Sequence, residues 1–210
     1  MGNSELADKA ARLIENPGPL SIVQAGDPVL RQKTAHYDGQ LDDDVLQRLI
    51  ARMRETMEQT HNAVGLAAPQ VGLPLRLAVL ATPEKISARL IESGQQPVPF
   101  TVLVNPSYTA AGRGRAANFE GCLSVSGWQA AVNRPERINV TREDETGRRL
   151  VEEQAGFVAR IVQHESDHLD GTLYLDRAEL RSLSTTDQVA QRWGGAGLAA
   201  AAEQLGFRLP

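Results

Sequence analysis

The sequence predicts an α+β fold, in which helices and strands are segregated rather than alternating. Three observations carry this. Strand-like runs occur at 75–81 and 100–110, residues 137–155 read as a hairpin, and one apolar-faced helix at about 156–169 comes after them. Strands in succession followed by a single long buried helix argue against repeated βαβ units.

Residues 1–20 read as a short helical lead-in ended by "NPGP". In "DDDVLQRLIARMRETMEQT" (42–60), Leu46, Leu49, Ile50, Met53 and Met57 recur at helical spacing, and aspartates at the start suit the positive end of the helix dipole. "HNAVG" stops it. The runs "LRLAVLA" and "FTVLVNPSYTA" are separated by a polar, proline-containing connection. The hairpin "RINVTREDETGRRLVEEQA" turns at Glu145-Thr146-Gly147. On the next helix Phe157, Ile161, His164 and His168 share one face, with Val158, Val162, Glu165 and Leu169 beside it, and Gly171 is placed to end it. That face is too apolar for a solvated helix. Beyond it lies a mostly polar tail whose "GLAAAAEQLGF" (197–207) has helical character.

Composition excludes several classes of function. With 210 residues, 41% hydrophobic and 23% charged, the chain suits one globular domain. A net charge of −4 without any Lys/Arg run disfavours nucleic-acid binding. No apolar stretch is long enough to span a bilayer, and the first twenty residues lack a signal-peptide core. The Met-Gly start does not suit myristoylation, because Leu6 stands where Ser or Thr is needed. A single cysteine, Cys122, rules out an internal disulfide framework and fits a reducing cytoplasm.

Three short segments carry chemistry. "QHESDHLDG" (163–171) sets His164 and His168 four apart, one above the other on a helix, where both could grip one ion. Glu165 then lies beside that ion, where a carboxylate can take a proton from water. "AVGLAAPQVG" (63–72) combines small residues and Gly65 with the amide donor Gln70; read alone, it serves equally as a helix-to-strand turn. "EGCLS" (120–124) holds Cys122, which read alone is a small buried hydrophobe.

In this order and spacing, "GLAAPQ", "EGCLS" and "QHESDH" resemble the three motifs of the peptide deformylase family. The agreement extends to "VQAGDPVLR" (23–31), "LVNPSY" (103–108) and "HLDGTLY" (168–174), covering about residues 22–178. The resemblance implies antiparallel sheets around a central metal-binding helix that carries the HExxH motif. Its catalytic domain would be 1–178, with 1–21 as an N-terminal extension and 179–210 as a partly helical tail. It implies Cys122, His164 and His168 as ligands of one divalent ion, Fe²⁺ physiologically, with Zn²⁺ or Ni²⁺ able to replace it. Glu165 becomes the acid/base, while Gln70 and the backbone N–H of Leu123 polarise the formyl oxygen. Val64, Phe157 and Ile161, with the His164 ring, would wall the slot for methionine, and the backbone of Gly65 would line the substrate cleft. The substrates would be N-formylmethionyl chains newly made in the cytoplasm, with the ribosome as a possible docking partner. A thiolate and two imidazoles leave a fourth tetrahedral position open, as catalytic rather than structural sites do.

There are departures from the family pattern. Ala63 replaces the first glycine of the first motif, Gln129 stands where some members have an arginine, and Arg160 occupies a position where an apolar pocket residue is common. A zinc peptidase of the HExxH type is the alternative, and needs a His or Glu ligand downstream of His168, for which Glu179 is the one reasonable candidate. A catalytically dead, metal-dependent binding protein would need neither Glu165 nor Gln70.

Overall fold

The computed structural model of the chain describes residues 2–15, 17–92 and 94–209. Helices α1 (Asn3–Glu15) and α2 (Asp43–Gln59) lead into strands β1 (Gly65–Ala67) and β2 (Leu77–Leu80). Helix α3 (Glu84–Glu92) precedes β3 (Thr101–Ala110), β4 (Arg115–Cys122), β5 (Val125–Pro135), β6 (Arg137–Glu143) and β7 (Arg149–Ala155). Then come α4 (Gly156–Leu169), a two-residue strand β8 (Ser184–Thr185), a single turn α5 (Thr186–Gln188) and α6 (Gly197–Leu205). Strand pairing is antiparallel throughout, in a five-stranded sheet of order β1-β2-β3-β6-β7 and a three-stranded sheet β4-β5-β8. The expected class of mixed helix and antiparallel sheet holds.

Side-chain alternation builds the layers. On β2, Leu77 and Val79 face a core that also holds Leu6, Ala10 and Ile14 of α1 and Leu46, Leu49, Met53 and Met57 of α2. Ala78 and Leu80, pointing the other way, join Leu103, Ile138 and Val140 against Ala159, Ile161, Val162 and Leu169 of α4. The larger sheet is therefore covered on both faces by helices, and this is why β2 is uniformly buried.

Both helices read from periodicity span nearly the expected residues, and the hairpin turns where expected, between Glu143 and Arg149. The "polar connection" instead contains α3, and the second hairpin, β4–β5, was not among the expected strands. Gly171 does end α4: it has φ +74°, and a Cβ there would lie 2.8 Å from the Arg31 backbone, a conformation and a contact that suit glycine alone. Past α4 the chain returns to β5, where β8 pairs with Trp128 and Gln129. A satellite core then buries Trp193, Ala201, Ala202 and Phe207 against Ala131, with Phe119 packed beside it. No helix among the described residues is long and apolar enough to cross a membrane.

Candidate active site

The three chemistry-bearing segments converge at the junction of the two sheets. The "AVGLAAPQ" segment forms β1 and then a 3₁₀ turn, Ala68–Val71, so Gln70 leaves the sheet edge pointing back at it. Its Oε1 accepts from the Ala67 N–H at 2.8 Å, which aims Nε2 at Cys122 Sγ (3.5 Å) and Ser124 Oγ (3.4 Å). Cys122 ends β4, and Leu123 lies in the turn into β5. His164, Glu165 and His168 lie on α4.

Cys122 Sγ stands 3.2 Å from His168 Nε2, and one donor atom each from Cys122, His164 and His168 lies within 4.8 Å of the other two. Ligands about 2.0–2.3 Å from one tetrahedral centre lie roughly 3.3–3.6 Å apart, so this trio could hold a metal ion. The electrostatics suit a cation. Burial disfavours charge on His164, yet Cys122 and Glu120 outweigh it and hold that ring well above its ordinary pKa. Burial, with the positive neighbours His164, Arg134 and Arg31, pushes His168 well below its own, leaving a neutral imidazole. Glu165 is buried with Oε2 unpartnered, and burial raises its pKa to about 7. His164 and Arg134 pull the other way. Such an orphaned carboxylate beside a Cys–His–His trio fits a site made for a cation and water.

Sequence reasoning gave Glu120 no role, but it holds His164 of the trio in place. Its Oε2 accepts from His164 Nδ1 at 3.0 Å, which leaves Nε2 of that ring free to ligate. Arg134, 2% exposed, grips both Glu120 oxygens (2.7 and 2.9 Å) and donates to Asp167 at 2.7 Å. Asp167 also accepts from Arg177 and from Tyr108. Burial opposes charge on Glu120, but His164 and Arg134 hold its pKa far below the usual carboxylate range. One signal was legible: residues 120 and 122 lie two apart on a strand and so share a face. The arginines that meet Glu120 come from elsewhere in the chain.

A second missed residue is Gln24. Its Nε2 donates to the Leu123 carbonyl (3.0 Å) and its Oε1 accepts from the Ser126 N–H (3.3 Å). Next to it, the Val23 N–H donates to the Gln70 carbonyl and the Ala25 N–H to the Ser124 carbonyl, at 2.9 and 2.7 Å. The "VQA" segment thus stitches the Gln70 turn to the Cys122 turn.

A cleft of about 680 Å³ opens onto the trio. Val64, Gly65, Phe157 and Ile161 all line it, as do Gln70, Cys122, Leu123, His164 and Glu165. His168 lies fully buried behind them. Gly65 also has a second task, because a Cβ there would fall 2.3 Å from Glu165 Oε1, so only a bare Cα lets the carboxylate lie where it does. Of the departures, the methyl of Ala63 is absorbed in the core and Gln129 lies over Gly121 at the cleft edge. Arg160 turns its guanidinium toward Glu120. Glu179, the peptidase candidate, is exposed and outside the trio.

Residues 19–184 match the family described as polypeptide deformylase. The chain is 55% identical over 206 residues to Peptide deformylase 3 of Streptomyces avermitilis, covering 98% of this chain and 92% of the relative. A peptide deformylase from Synechococcus elongatus, solved in complex with actinonin, superposes with a TM-score of 0.65 at 34% identity, over 92% of this chain and 89% of that one. The Met-Ala-Ser-bound class I type b peptide deformylase from Acinetobacter baumannii gives a TM-score of 0.68 at 31% identity, over 76% and 98%. The fold, the trio of donors in its cleft and these likenesses agree: the chain belongs to the polypeptide deformylase family.

Proposed function

We propose that Cys122, His164 and His168 hold one divalent ion and that Glu165 moves the protons of the reaction. The reaction itself follows from the family: the enzyme hydrolyses the N-formyl group from newly synthesised peptides. The observation that carries the residue assignment is the buried, unpartnered Glu165 carboxylate packed on Gly65 next to a Cys–His–His trio.

An ion held by the trio would supply Lewis acidity, easing loss of a proton from water and polarising a carbonyl. The protein's own groups do the rest. With a dication beside it Glu165 would be a carboxylate, which takes a proton from water and passes it to the departing amine nitrogen. Gln70, fixed through Oε1, offers Nε2 where negative charge grows on the former carbonyl oxygen, and the Leu123 N–H is the second donor. Gln24 fixes the peptide turn that carries this N–H by holding the Leu123 carbonyl. Val64, Phe157 and Ile161 provide the apolar slot for methionine, and Gly65 leaves room for the backbone. A formyl carbon carries only hydrogen, so a close-fitting site excludes acetyl by its methyl group.

We assign Fe²⁺ as the physiological ion on the family resemblance, with Zn²⁺ and Ni²⁺ as substitutes, although thiolate and imidazole donors by themselves favour Zn²⁺. The substrates are N-formylmethionyl chains leaving the ribosome, and the single reduced cysteine suits work in the cytoplasm. The peptidase alternative loses ground because the third donor near the histidine pair is Cys122, not a downstream His or Glu.

Glu165→Gln tests the assignment. Size is nearly kept and no ligand is removed, so the loaded ion should remain while kcat on formyl-Met-Ala falls about 10²–10⁴-fold with little change in KM. Metal content and kcat measured on one sample decide it, since full occupancy with less than a tenfold drop would remove Glu165 from the proton path.

A further inference from the structure

Arg160 lies one helical turn before His164, on the same face of α4. Its Nη1 donates to Glu120 Oε1 at 2.5 Å and to the Val132 carbonyl at 3.1 Å, and its Nη2 donates to the Ala116 carbonyl at 2.7 Å. His164 Nδ1 meets the other oxygen of the same carboxylate, Oε2, at 3.0 Å. Two residues of one helix face thus bracket a single carboxylate on the neighbouring strand. Ala116 belongs to β4 and Val132 to β5, so the guanidinium also spans both strands of the hairpin that ends in Cys122. With its side chain only 13% exposed, Arg160 is packed at the cleft wall rather than turned to solvent.

The other imidazole has no such support. His168 Nδ1 is buried and unpartnered, so among the described residues only His164 has its outer nitrogen held by a carboxylate. The geometry of the whole donor set then depends on how firmly Glu120 is aimed. Arg134 reaches Glu120 from within β5, its own sheet. It also reaches α4, near that helix's C-terminal end, through Asp167 Oδ2 at 2.7 Å. Arg160 ties the Glu120 carboxylate to α4 one turn on the N-terminal side of His164.

We propose that Arg160 is a positioning residue for the ion: it locks β4 to α4 and aims Glu120 Oε2 at His164 Nδ1. This rests on the ligand set proposed above, and extends it by naming what holds that set in register. The residue that departs from an apolar pocket position would thereby serve metal retention, with its aliphatic stem left to line the cleft.

The test follows release of Co²⁺ or Zn²⁺ to a chelator from loaded wild type, Arg160→Met, Arg160→Lys, Glu120→Gln and Cys122→Ala, with thermal unfolding of each metal-free protein alongside. Partners that orient metal ligands typically change affinity by about 10–100-fold, so Arg160→Met should release the ion faster by that range. Arg160→Lys, whose single nitrogen can meet Glu120 but cannot span to both carbonyls, should fall between. In the Glu120→Gln background, Arg160→Met should add little, because both act along one path. The Co²⁺ absorption spectrum should shift in Arg160→Met as the donor geometry relaxes. Release as slow as wild type, or effects of Glu120→Gln and Arg160→Met that simply add, would reduce Arg160 to a tether of the hairpin and overturn the proposal. Wild type that keeps its ion, with Cys122→Ala that loses it, leaves the ligand set standing even then. A wild type that holds no ion brings down both.

Discussion

Glu165 is a carboxylate that the metal-free protein can ill accommodate. Its pKa is raised by burial from an ordinary 4.5 to about 7, above the value in the unfolded chain. An acid raised in this way binds its proton more tightly when folded, so native stability falls as pH climbs from about 4.5 and levels off above about 7. The full penalty is on the order of 3 kcal/mol. Metal-free Glu165→Gln should therefore unfold at the same temperature as metal-free wild type near pH 4.5, and at a higher one by pH 7.5. Loading the ion should close the gap by favouring the charged carboxylate. Matching melting curves at every pH in the metal-free state would mean that some other group already relieves the charge. The catalytic role proposed for Glu165 and native stability oppose each other at this residue.

Between elements, β1 comes close against α4 where Gly65 meets Glu165. Gly65→Ala would put a methyl group 2.3 Å from Oε1, inside any permitted contact. The carboxylate is the movable partner, so the fold should survive while Glu165 swings off line. A loss in kcat of about 10²-fold or more is expected, close to that of Glu165→Gln, with the ion still bound. A variant with near wild-type kcat would show that the carboxylate has room to act from another position. Motif reading placed Gly65 at the substrate; the structure adds this steric reason. Other elements differed in how clearly they announced themselves. α4 was legible because large apolar residues recur at 3.6, and the β6–β7 hairpin because Ile138 and Val140 alternate on β6 ahead of a Thr-Gly turn. β4–β5 was hidden because its buried residues include Ala130 and Ala131, whose small side chains leave little hydrophobic alternation. The short α3 was masked by the prolines around it. Glu120 stood inside a quoted motif, yet its role depends on Arg134 and Arg160, which only the fold brings to it.

At the scale of the whole molecule, the tail is part of the packing although it lies past the motifs. Phe207 and Trp193 are each 7% exposed and close over Ala131 on β5, while Phe119 is shared between this satellite core and the cleft. Phe207→Ala should cost about 3 kcal/mol, lowering the melting temperature by roughly 6–12 °C. Because no tail residue beyond Thr186 lines the cleft, kcat on formyl-Met-Ala should stay within about twofold of wild type well below the melting range. A tenfold loss with the fold intact would give the tail a share in the catalytic geometry.

The stitch made by residues 23–25 also has a bearing on how the enzyme comes into being. Ser126 reaches back 102 positions to Gln24, and Thr34 bonds the Leu169 carbonyl 135 positions away. Contacts of that span close slowly, since a long loop must be ordered before any of them is rewarded. A chain emerging in order from its own ribosome has Gln24 long before Cys122, and Cys122 long before His168. Until the last of these is out, the Cys122–His164–His168 trio is not assembled. The enzyme that trims the starts of other chains therefore cannot act on its own beginning while that beginning is fresh. Each copy's first residue has to wait for the rest of itself, or be served by a molecule completed earlier.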